Sequence, residues 1–315
     1  MTGQLVPNRG GITRISPRRP SVPVETVVFS TLALVTLAGL GLGVPLPSPA
    51  VQVVLLGVLV GILGLPHGAL DPLIARRCGL WSTPLGFAGF NVAYIVIVVG
   101  VVLLWLALPV ASLVIFLLVS ALHFGSDWNS HRAVWLRFLT GFGLLSVPAL
   151  SHPEGVKAAY EVLAGEGGAM VAAVQQMLGP LALVSLLVAA VVALRHRWHE
   201  SAEIVLATAL AVVTDPLVFF LLYFCALHSL RHLKAGFQAE RTGGRLTVLI
   251  VLVYTVVPLL SVGAVFLWLG PGAAPSEQIV QVVFIGLAAL TVPHMLVVTQ
   301  ENRQQRLART TQTVR

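Results

Sequence analysis

The sequence has very few charged residues and very few cysteines. Only 10% of its 315 residues are Asp, Glu, Lys or Arg, whereas a soluble globular domain carries about 25%. This composition excludes a water-soluble enzyme, a disordered chain and a nucleic-acid-binding domain. Two isolated cysteines, Cys78 and Cys225, are too few for a disulfide framework or a thiolate zinc site. The hydrophobic fraction of 57% indicates a membrane protein instead.

Long apolar segments follow one another along almost the whole chain. A membrane helix needs about 20 apolar residues, so the sequence predicts an all-α, polytopic membrane helix bundle of about ten transmembrane helices. The count falls to about eight or nine if a short segment such as 110–124 or 202–214 is re-entrant. The predicted spans are residues 24–44, 50–66, 86–108, 110–124, 133–150, 169–194, 202–214, 216–232, 246–269 and 278–299.

The basic residues fall on one side of this predicted topology. With the N-terminus inside, all of the 19 Lys and Arg residues except Lys157 lie in inner segments, as the positive-inside rule requires. Proline disfavours helix at the residue before it, so Asp215-Pro216 predicts a helical hairpin over 202–232 that keeps Arg231 and Lys234 inside. We therefore expect a multi-pass protein of the plasma membrane with both termini in the cytoplasm.

Three regions are predicted along the chain. Residues 1–22 form a basic, proline-containing tail that we expect to be disordered. Residues 23–300 form a single transmembrane domain, and residues 301–315 form a basic cytoplasmic tail. Arg18-Arg19 precedes an apolar run as in a signal peptide, but the run is long and lacks a small-residue cleavage site. It therefore predicts an uncleaved first helix.

Four short polar motifs interrupt the apolar runs, and each contains histidine. On the predicted topology each motif falls near the inner end of an even-numbered span, so the four motifs converge at one membrane face. Ionisable groups at membrane depth are costly and usually functional. The motifs are Pro66-His67-Gly68-Ala69-Leu70-Asp71, His123-Phe124-Gly125-Ser126-Asp127, His228-Ser229-Leu230-Arg231-His232 and Pro293-His294-Met295.

The spacing inside these motifs predicts a metal site. His228 and His232 are four residues apart and project from one helix face. Asp71 and Asp127 each follow a histidine by four residues, which suits shared ligation or a carboxylate that accepts the other ring N–H. Converging imidazoles without cysteine are typical of iron, zinc, copper or nickel. Alternatively, Asp71 and Asp127 could pair with Arg76 and Arg132. Gly68 and Gly125 predict close approach of backbone or substrate.

The remaining histidines and the nearby aromatic residues allow a simpler interpretation. His294 considered alone could merely hydrogen-bond a neighbouring helix. Four histidines lie among loop arginines or on the outer side, and we expect them to be solvated or interfacial: His131, His152, His196 and His199. Aromatic residues near the motifs either pack the helices or form a substrate wall: Phe124, Trp128, Phe220, Tyr223 and Phe224.

The four motifs together, in this order over roughly residues 50–300, resemble the Brp/Blh family of membrane β-carotene 15,15′-dioxygenases. The resemblance implies a membrane enzyme that uses ferrous iron, Fe(2+), and O₂. It would cleave β-carotene at its central double bond into two all-trans-retinal molecules, which supply microbial rhodopsins. The bilayer would deliver the apolar substrate. The implied iron ligands are His67, His123, His228 and His232, with His294, Asp71 and Asp127 as extra ligands or supporting groups.

Three other functions stay open at this point. A di-iron lipid desaturase or hydroxylase would need several His-rich boxes, whereas this sequence has one His-x-x-x-His and no His-x-x-His-His. A metal- or proton-coupled transporter would place its site near the bilayer midplane. A carotenoid- or retinal-binding protein without catalysis would need no metal.

Overall fold

The computed structural model describes residues 22–128, 133–240, 244–269 and 275–313, without the side chains of residues 67, 265, 268, 269, 306 and 308–313. All regular secondary structure in these ranges is helical, which confirms the all-α prediction. The predicted tail up to residue 21, together with His131 and Arg132, lies outside the described residues.

The described chain forms α-helices and two π-helical segments. The π-helical segments are Val60–Gly64 and Phe224–Ser229. The α-helices are α1 (Val24–Gly41), α2 (Pro49–Leu59), α3 (Leu65–Gly68), α4 (Asp71–Arg77), α5 (Pro84–Ala107), α6 (Pro109–Phe124), α7 (Val134–Ser151), α8 (Pro153–Ala164), α9 (Glu166–Met177), α10 (Gly179–Leu194), α11 (Trp198–Val213), α12 (Pro216–Tyr223), α13 (Leu230–Ala239), α14 (Gly244–Leu269) and α15 (Pro275–Thr313).

Fewer helices meet the length of a membrane span than the ten predicted. Within the described residues six helical stretches are long and apolar enough, and α9 with α10, bent by 52°, makes a seventh if the pair counts as one span. The stretches Pro49–Gly64 and Pro109–Phe124 are apolar but shorter. Each of the ten predicted segments is helical. Helix α8 was not predicted and occupies the expected loop after residue 150. The six are Val24–Gly41, Pro84–Ala107, Val134–Ser151, Pro216–Ala239, Gly244–Ala264 and Pro275–Gln305.

Proline residues set the beginnings of several helices. Proline at the first helical position loses nothing, because the N–H that it lacks would have no helical acceptor there. The predicted break at Asp215-Pro216 is confirmed, since α11 ends at Val213 and α12 begins at Pro216. Proline begins helices α2, α5, α6, α8 and α12 at Pro49, Pro84, Pro109, Pro153 and Pro216.

Two glycines allow the end of α6 to pack directly on α7. A Cβ atom added at Gly125 would lie 1.7 Å from the carbonyl oxygen of Arg137, and one added at Gly141 would lie 1.8 Å from that of Ala121. Small residues permit such backbone contact between membrane helices. The prediction of close approach is therefore confirmed for Gly125, whereas a Cβ at Gly68 would meet nothing within 4 Å. This contact fixes the depth of the histidine motif at the end of α6.

Helix α13 carries Arg231 and Lys234, which the prediction placed at and just beyond the inner end of the span 216–232. Arg231 pairs with Glu203 of α11 at 2.7 Å, and Lys234 pairs with Glu25 of α1 at 2.8 Å. Glu203 and Glu25 are buried. A charge removed from water is stabilised by an opposite charge with good hydrogen-bond geometry. These pairs explain why a polar helix continues directly from the apolar α12.

Two features on the outside of the bundle matter for the site. Helices α5 and α14 present mainly apolar, exposed surfaces. Only 6% of the residues in the most apolar stretch of α5, and 11% in that of α14, are buried, as expected of helices that contact lipid. Helix α15 is a single helix of 39 residues with Pro293 in its interior. It packs on α2, α4, α5 and α8.

Candidate metal centre

Three histidines from two separate parts of the chain converge inside the bundle. His123 lies at the end of α6, His228 in the π-helical segment Phe224–Ser229, and His232 in α13. One ring nitrogen from each of them lies within 4.8 Å of those of the other two, and these three form the described group that could hold a metal ion. His123 and His228 are buried and His232 is half-buried. The site is therefore closed on one side and reachable on the other.

Helical geometry explains the pairing of His228 with His232. Their ring centroids are 4.6 Å apart, as the spacing of four residues predicts. His123 lies 4.7 Å from His228 and 5.4 Å from His232 between ring centroids. The helix is π-helical at His228, and such one-turn π segments in α-helices occur frequently at functional sites.

Asp127 connects two of these histidines. It lies just after α6, and its carboxylate is 3.0 Å from Nδ1 of His228 and 3.2 Å from Nε2 of His232. The hydroxyl of Tyr223 donates to the same carboxylate at 2.6 Å. A carboxylate that accepts a ring N–H fixes the tautomer of a metal-binding histidine and orients its ring. In His228 this bond places the proton on Nδ1 and the lone pair on Nε2.

His294 has a carboxylate partner of its own. Its Nδ1 lies 2.7 Å from Asp71, whose other oxygen accepts the hydroxyl of Tyr94 at 2.9 Å. The ring of His294 is 5.3 Å from His123 and 6.3 Å from His232 between centroids. His294 thus lies beside the three-histidine group. The described contacts join Asp71 and Asp127 to histidines of other helices. The predicted pairings of Asp71 with His67 and of Asp127 with Arg132 involve side chains outside those described.

His67 lies in the short helix α3, directly after the π-helical segment Val60–Gly64. Pro66 has no N–H and cannot continue the α-helical ladder, and Leu65 donates to Val60 five residues earlier. Helix α3 packs on α13 and α15, the helices of His232 and His294. The side chain of His67 is not among those described, so its predicted role as a ligand stays a prediction.

A buried polar network next to Asp127 was not predicted from the sequence. Arg231 donates to the backbone carbonyl of Asp127 at 3.1 Å and to Glu203 at 2.7 Å. Glu203 also accepts the indole N–H of Trp128 at 2.7 Å and the hydroxyl of Thr26. The signal was present in the sequence, since Glu203 is a carboxylate inside an apolar segment. Its partner in α13 could not be identified from spacing.

The five predicted wall residues pack behind the histidines. Phe124 and Phe224 lie 4.9 and 5.5 Å from His228 between ring centroids. Trp128 stacks on Tyr223, and Phe220 stacks on Phe224. None of the five lines the two cavities described next. These ring contacts show that the five residues pack against one another and against His228, and their role as a substrate wall stays a prediction.

Two cavities are lined in part by α15, and one of them reaches the histidines. The first is an apolar groove of about 520 Å³ between α2, the π-helical segment Val60–Gly64, α14 and α15. The second, of about 700 Å³, has a mixed lining of histidines, apolar residues and charged residues, among them His123, His232, His294, Leu70, Ile74, Met295, Arg77, Arg137, Glu301 and Arg303. Both volumes lie within the usual range for small-molecule sites. The exposed edge of His232 thus faces the second cavity.

The other histidines have surroundings that fit a structural role. His152 is half-buried, and its Nδ1 lies 3.1 Å from the hydroxyl of Ser151. His196 is exposed, and His199 is half-buried beside Trp198. Neither Cys78 nor Cys225, both buried, belongs to the described metal-binding group.

The donor set fits a borderline transition metal. The three grouped residues offer imidazole nitrogens, and the carboxylate of Asp127 supports two of them. Imidazole suits iron, zinc, copper and nickel, whereas magnesium and calcium prefer oxygen ligands. The arrangement can hold such an ion and bring an apolar molecule from either cavity next to it.

Comparisons with known proteins agree with one another. The family model described as Beta-carotene 15,15'-dioxygenase matches residues 58–300. The chain is similar to a protein of an uncultured marine bacterium (66A03) named Beta-carotene 15,15'-dioxygenase, at 29% identity over 249 residues, which cover 76% of this chain and 90% of the relative. It is also similar to the Halobacterium salinarum protein named Probable beta-carotene 15,15'-dioxygenase Blh, at 26% identity over 329 residues, 91% of this chain and 93% of the relative. No solved structure matches the chain.

Proposed function

The chain belongs to the β-carotene 15,15′-dioxygenase family, and on this basis we propose that it cleaves β-carotene with O₂ at the central C15–C15′ double bond. Each carbon of the broken bond receives one oxygen atom, so one β-carotene and one O₂ give two molecules of all-trans-retinal. The predicted membership of this family is confirmed. The observation that supports the activity in this chain is the three-histidine group enclosed in an apolar bundle.

We propose that the group holds ferrous iron. The proposed ligands are His123, His228 and His232, together with His67 on the adjacent helix α3. His294 is a further ligand or a group that supports the site, because its ring lies 5.3 Å from that of His123. When bound, Fe(2+) supplies the activation of O₂ that a side chain cannot provide.

The chain itself supplies orientation and an apolar setting. Asp127 holds His228 and His232 in place, and Tyr223 and Arg231 hold Asp127. The aromatic side chains behind His228 exclude water from the buried side. Precise placement of a long substrate at its midpoint is the main contribution that such a protein makes to catalysis.

The bilayer is part of the proposed activity. β-Carotene is wholly apolar and dissolves in the membrane, so an intramembrane enzyme can take it up laterally. We propose that the ten predicted segments each cross the plasma membrane, with both termini and the histidine site toward the cytoplasm. In cells that have a microbial rhodopsin, the retinal product supplies it.

The direct test is expression in cells that accumulate β-carotene, followed by extraction and pigment analysis. We expect loss of β-carotene and a gain of retinal with two retinals formed for each β-carotene consumed. Cells that express His228→Ala at equal membrane abundance are the control and should keep their pigment. Apocarotenals of other lengths would refute central cleavage.

Metal analysis of the purified protein separates the alternatives. One iron per chain, lost in His123→Ala, supports the dioxygenase. Two irons would favour a di-iron desaturase or hydroxylase, and a protein that binds carotenoid without any metal would favour a binding function.

A further inference from the structure

The apolar groove is separate from the cavity that the histidines line. It lies between the π-helical segment Val60–Gly64 and α14, with α15 as a third wall. Its lining consists only of aliphatic residues, Gly, Pro and Phe, and includes Gly61, Leu65, Leu259, Val262, Val283 and Leu290. An apolar ligand of substantial length is the class of molecule that such a lining accepts.

Two glycines allow the walls of this groove to lie close together. A Cβ atom added at Gly61 would lie 2.9 Å from Cδ2 of Leu259, and one added at Gly57 would lie 3.4 Å from Cγ2 of Ile279. Gly57 and Gly61 are four residues apart and share a helix face. The opposite walls therefore approach each other as closely as their side chains allow.

The groove leads to the histidine site. Leu290, at one end of its wall on α15, precedes His294 by one helical turn, and Leu65 precedes His67 by two residues. The second cavity begins at His294, His123 and His232. Along α15 the groove extends from Ile279 to Leu290, about 17 Å at the rise of an α-helix. Along α15 the groove thus ends one helical turn before His294, and the second cavity begins at His294.

We propose that the groove binds one arm of the carotenoid, meaning one half of the polyene with its end group. The other arm occupies the second cavity, and the central double bond then lies at the histidines. This inference rests on the proposed function, because scission at the midpoint requires room for an arm on both sides of the metal centre. Helix α14, mostly exposed to lipid, is the wall past which the substrate enters.

Adjacent leucines of α14 provide a matched test. Leu259 lines the groove, whereas Leu260 does not and is 67% exposed. Leu259→Trp fills the groove, and Leu260→Trp adds the same bulk toward lipid. We expect Leu259→Trp to lower kcat/KM for β-carotene by roughly tenfold or more relative to Leu260→Trp, the scale of a steric mismatch in an apolar pocket. Iron content should be equal in both variants.

A substrate shortened in one arm makes the test specific. A β-apocarotenal with one intact and one shortened arm can place the short arm in the filled groove, so Leu259→Trp should cleave it nearly as fast as the wild type does. Gly61→Val approaches the groove from its opposite wall and should give the same pattern, with Gly263→Val, whose Cβ meets nothing within 4 Å, as its control.

Two results would overturn the assignment of the groove. One is equal β-carotene turnover by Leu259→Trp and Leu260→Trp, which would leave the groove to a lipid chain. The other is an equal loss for the intact and the shortened substrate. Wild-type protein that forms no retinal would instead refute the proposed function, and that outcome is distinct from both.

Discussion

Asp127 and Asp71 form two versions of the same arrangement at the centre of this protein. Each is buried, accepts one tyrosine hydroxyl and contacts Nδ1 of a histidine: Tyr223 and His228 for Asp127, Tyr94 and His294 for Asp71. They differ in reach. Asp127 contacts two members of the three-histidine group, whereas Asp71 contacts one histidine beside that group.

This difference predicts that substitutions at Asp127 have larger effects than substitutions at Asp71. A change at Asp127 disturbs two members of the three-histidine group at once, whereas a change at Asp71 disturbs one histidine beside that group. We therefore expect the effect of a substitution to depend on how many histidines of the three-histidine group the residue contacts, rather than on how deeply the residue is buried.

The largest effect should come from the histidines themselves. We expect His228→Ala, and equally His123→Ala or His232→Ala, to abolish retinal formation while the protein still inserts into the membrane, because each change removes one of the grouped nitrogens. Retinal per inserted protein is the measurement. His196→Ala and His152→Ala serve as controls and should stay within a few-fold of wild type. Near wild-type activity of any one grouped variant would remove that residue from the ligand set.

Next in size is Asp127→Asn. We expect roughly a 10–100-fold loss of iron affinity, the usual cost of removing a carboxylate that orients a ligating histidine. Affinity is measured by chelator competition on purified protein. Asp215→Asn is a matched control, because Asp215 also accepts a side-chain hydrogen bond, from Gln52 at 2.7 Å, and is not a neighbour of the histidines. A similar loss in both variants would contradict a specific role for Asp127.

Asp71→Asn should weaken iron affinity less, at the lower end of that roughly 10–100-fold range. Asp71 should act through His294, so the double variant Asp71→Asn/His294→Ala should be no weaker than His294→Ala alone. Groups that act as one unit give such non-additive effects. Fully additive losses would show that Asp71 acts on something other than His294, and unchanged affinity would return it to a structural role.

The smallest effects should come from the tyrosine hydroxyls. Tyr223→Phe and Tyr94→Phe each remove one hydrogen bond to a carboxylate, worth about 0.5–3 kcal/mol. We expect a loss of turnover of a few-fold, larger for Tyr223. Tyr160→Phe removes a comparable bond to Gln175 away from the site and measures the structural contribution alone. A larger loss of turnover in Tyr94→Phe than in Tyr223→Phe would contradict the prediction that Asp127 matters more than Asp71.

Much of the site could be predicted from local sequence, because helical spacing decides it. The spacing of four positions between His228 and His232 places both rings on one face. The break at Asp215-Pro216 follows from the steric restriction that proline puts on the residue before it. The convergence of His123 and His294 on this pair followed from the predicted span order and the positions of the basic residues.

The partners across the bundle could not be predicted in this way. The contacts of Asp71 with His294 and of Arg231 with Glu203 join residues distant in the chain, and their register depends on how the helices pack. The number of membrane spans could not be predicted from the sequence either. Helix α2 with its π-helical segment, α6 and α11 are all shorter than a usual span. Apolar composition alone does not distinguish a short crossing from a buried helix.

Helix α15 lines both cavities and contains a proline, Pro293, between the two parts that line them. Pro293 cannot donate to the carbonyl of Ala289, so the hydrogen-bond ladder is interrupted one residue before His294. The stretch ahead of this gap borders the groove, and the stretch behind it borders the other cavity. A small change in the angle between the two stretches would therefore turn the imidazole of His294. A molecule bound in one cavity can in this way change the orientation of a ring that lies 5.3 Å from that of His123.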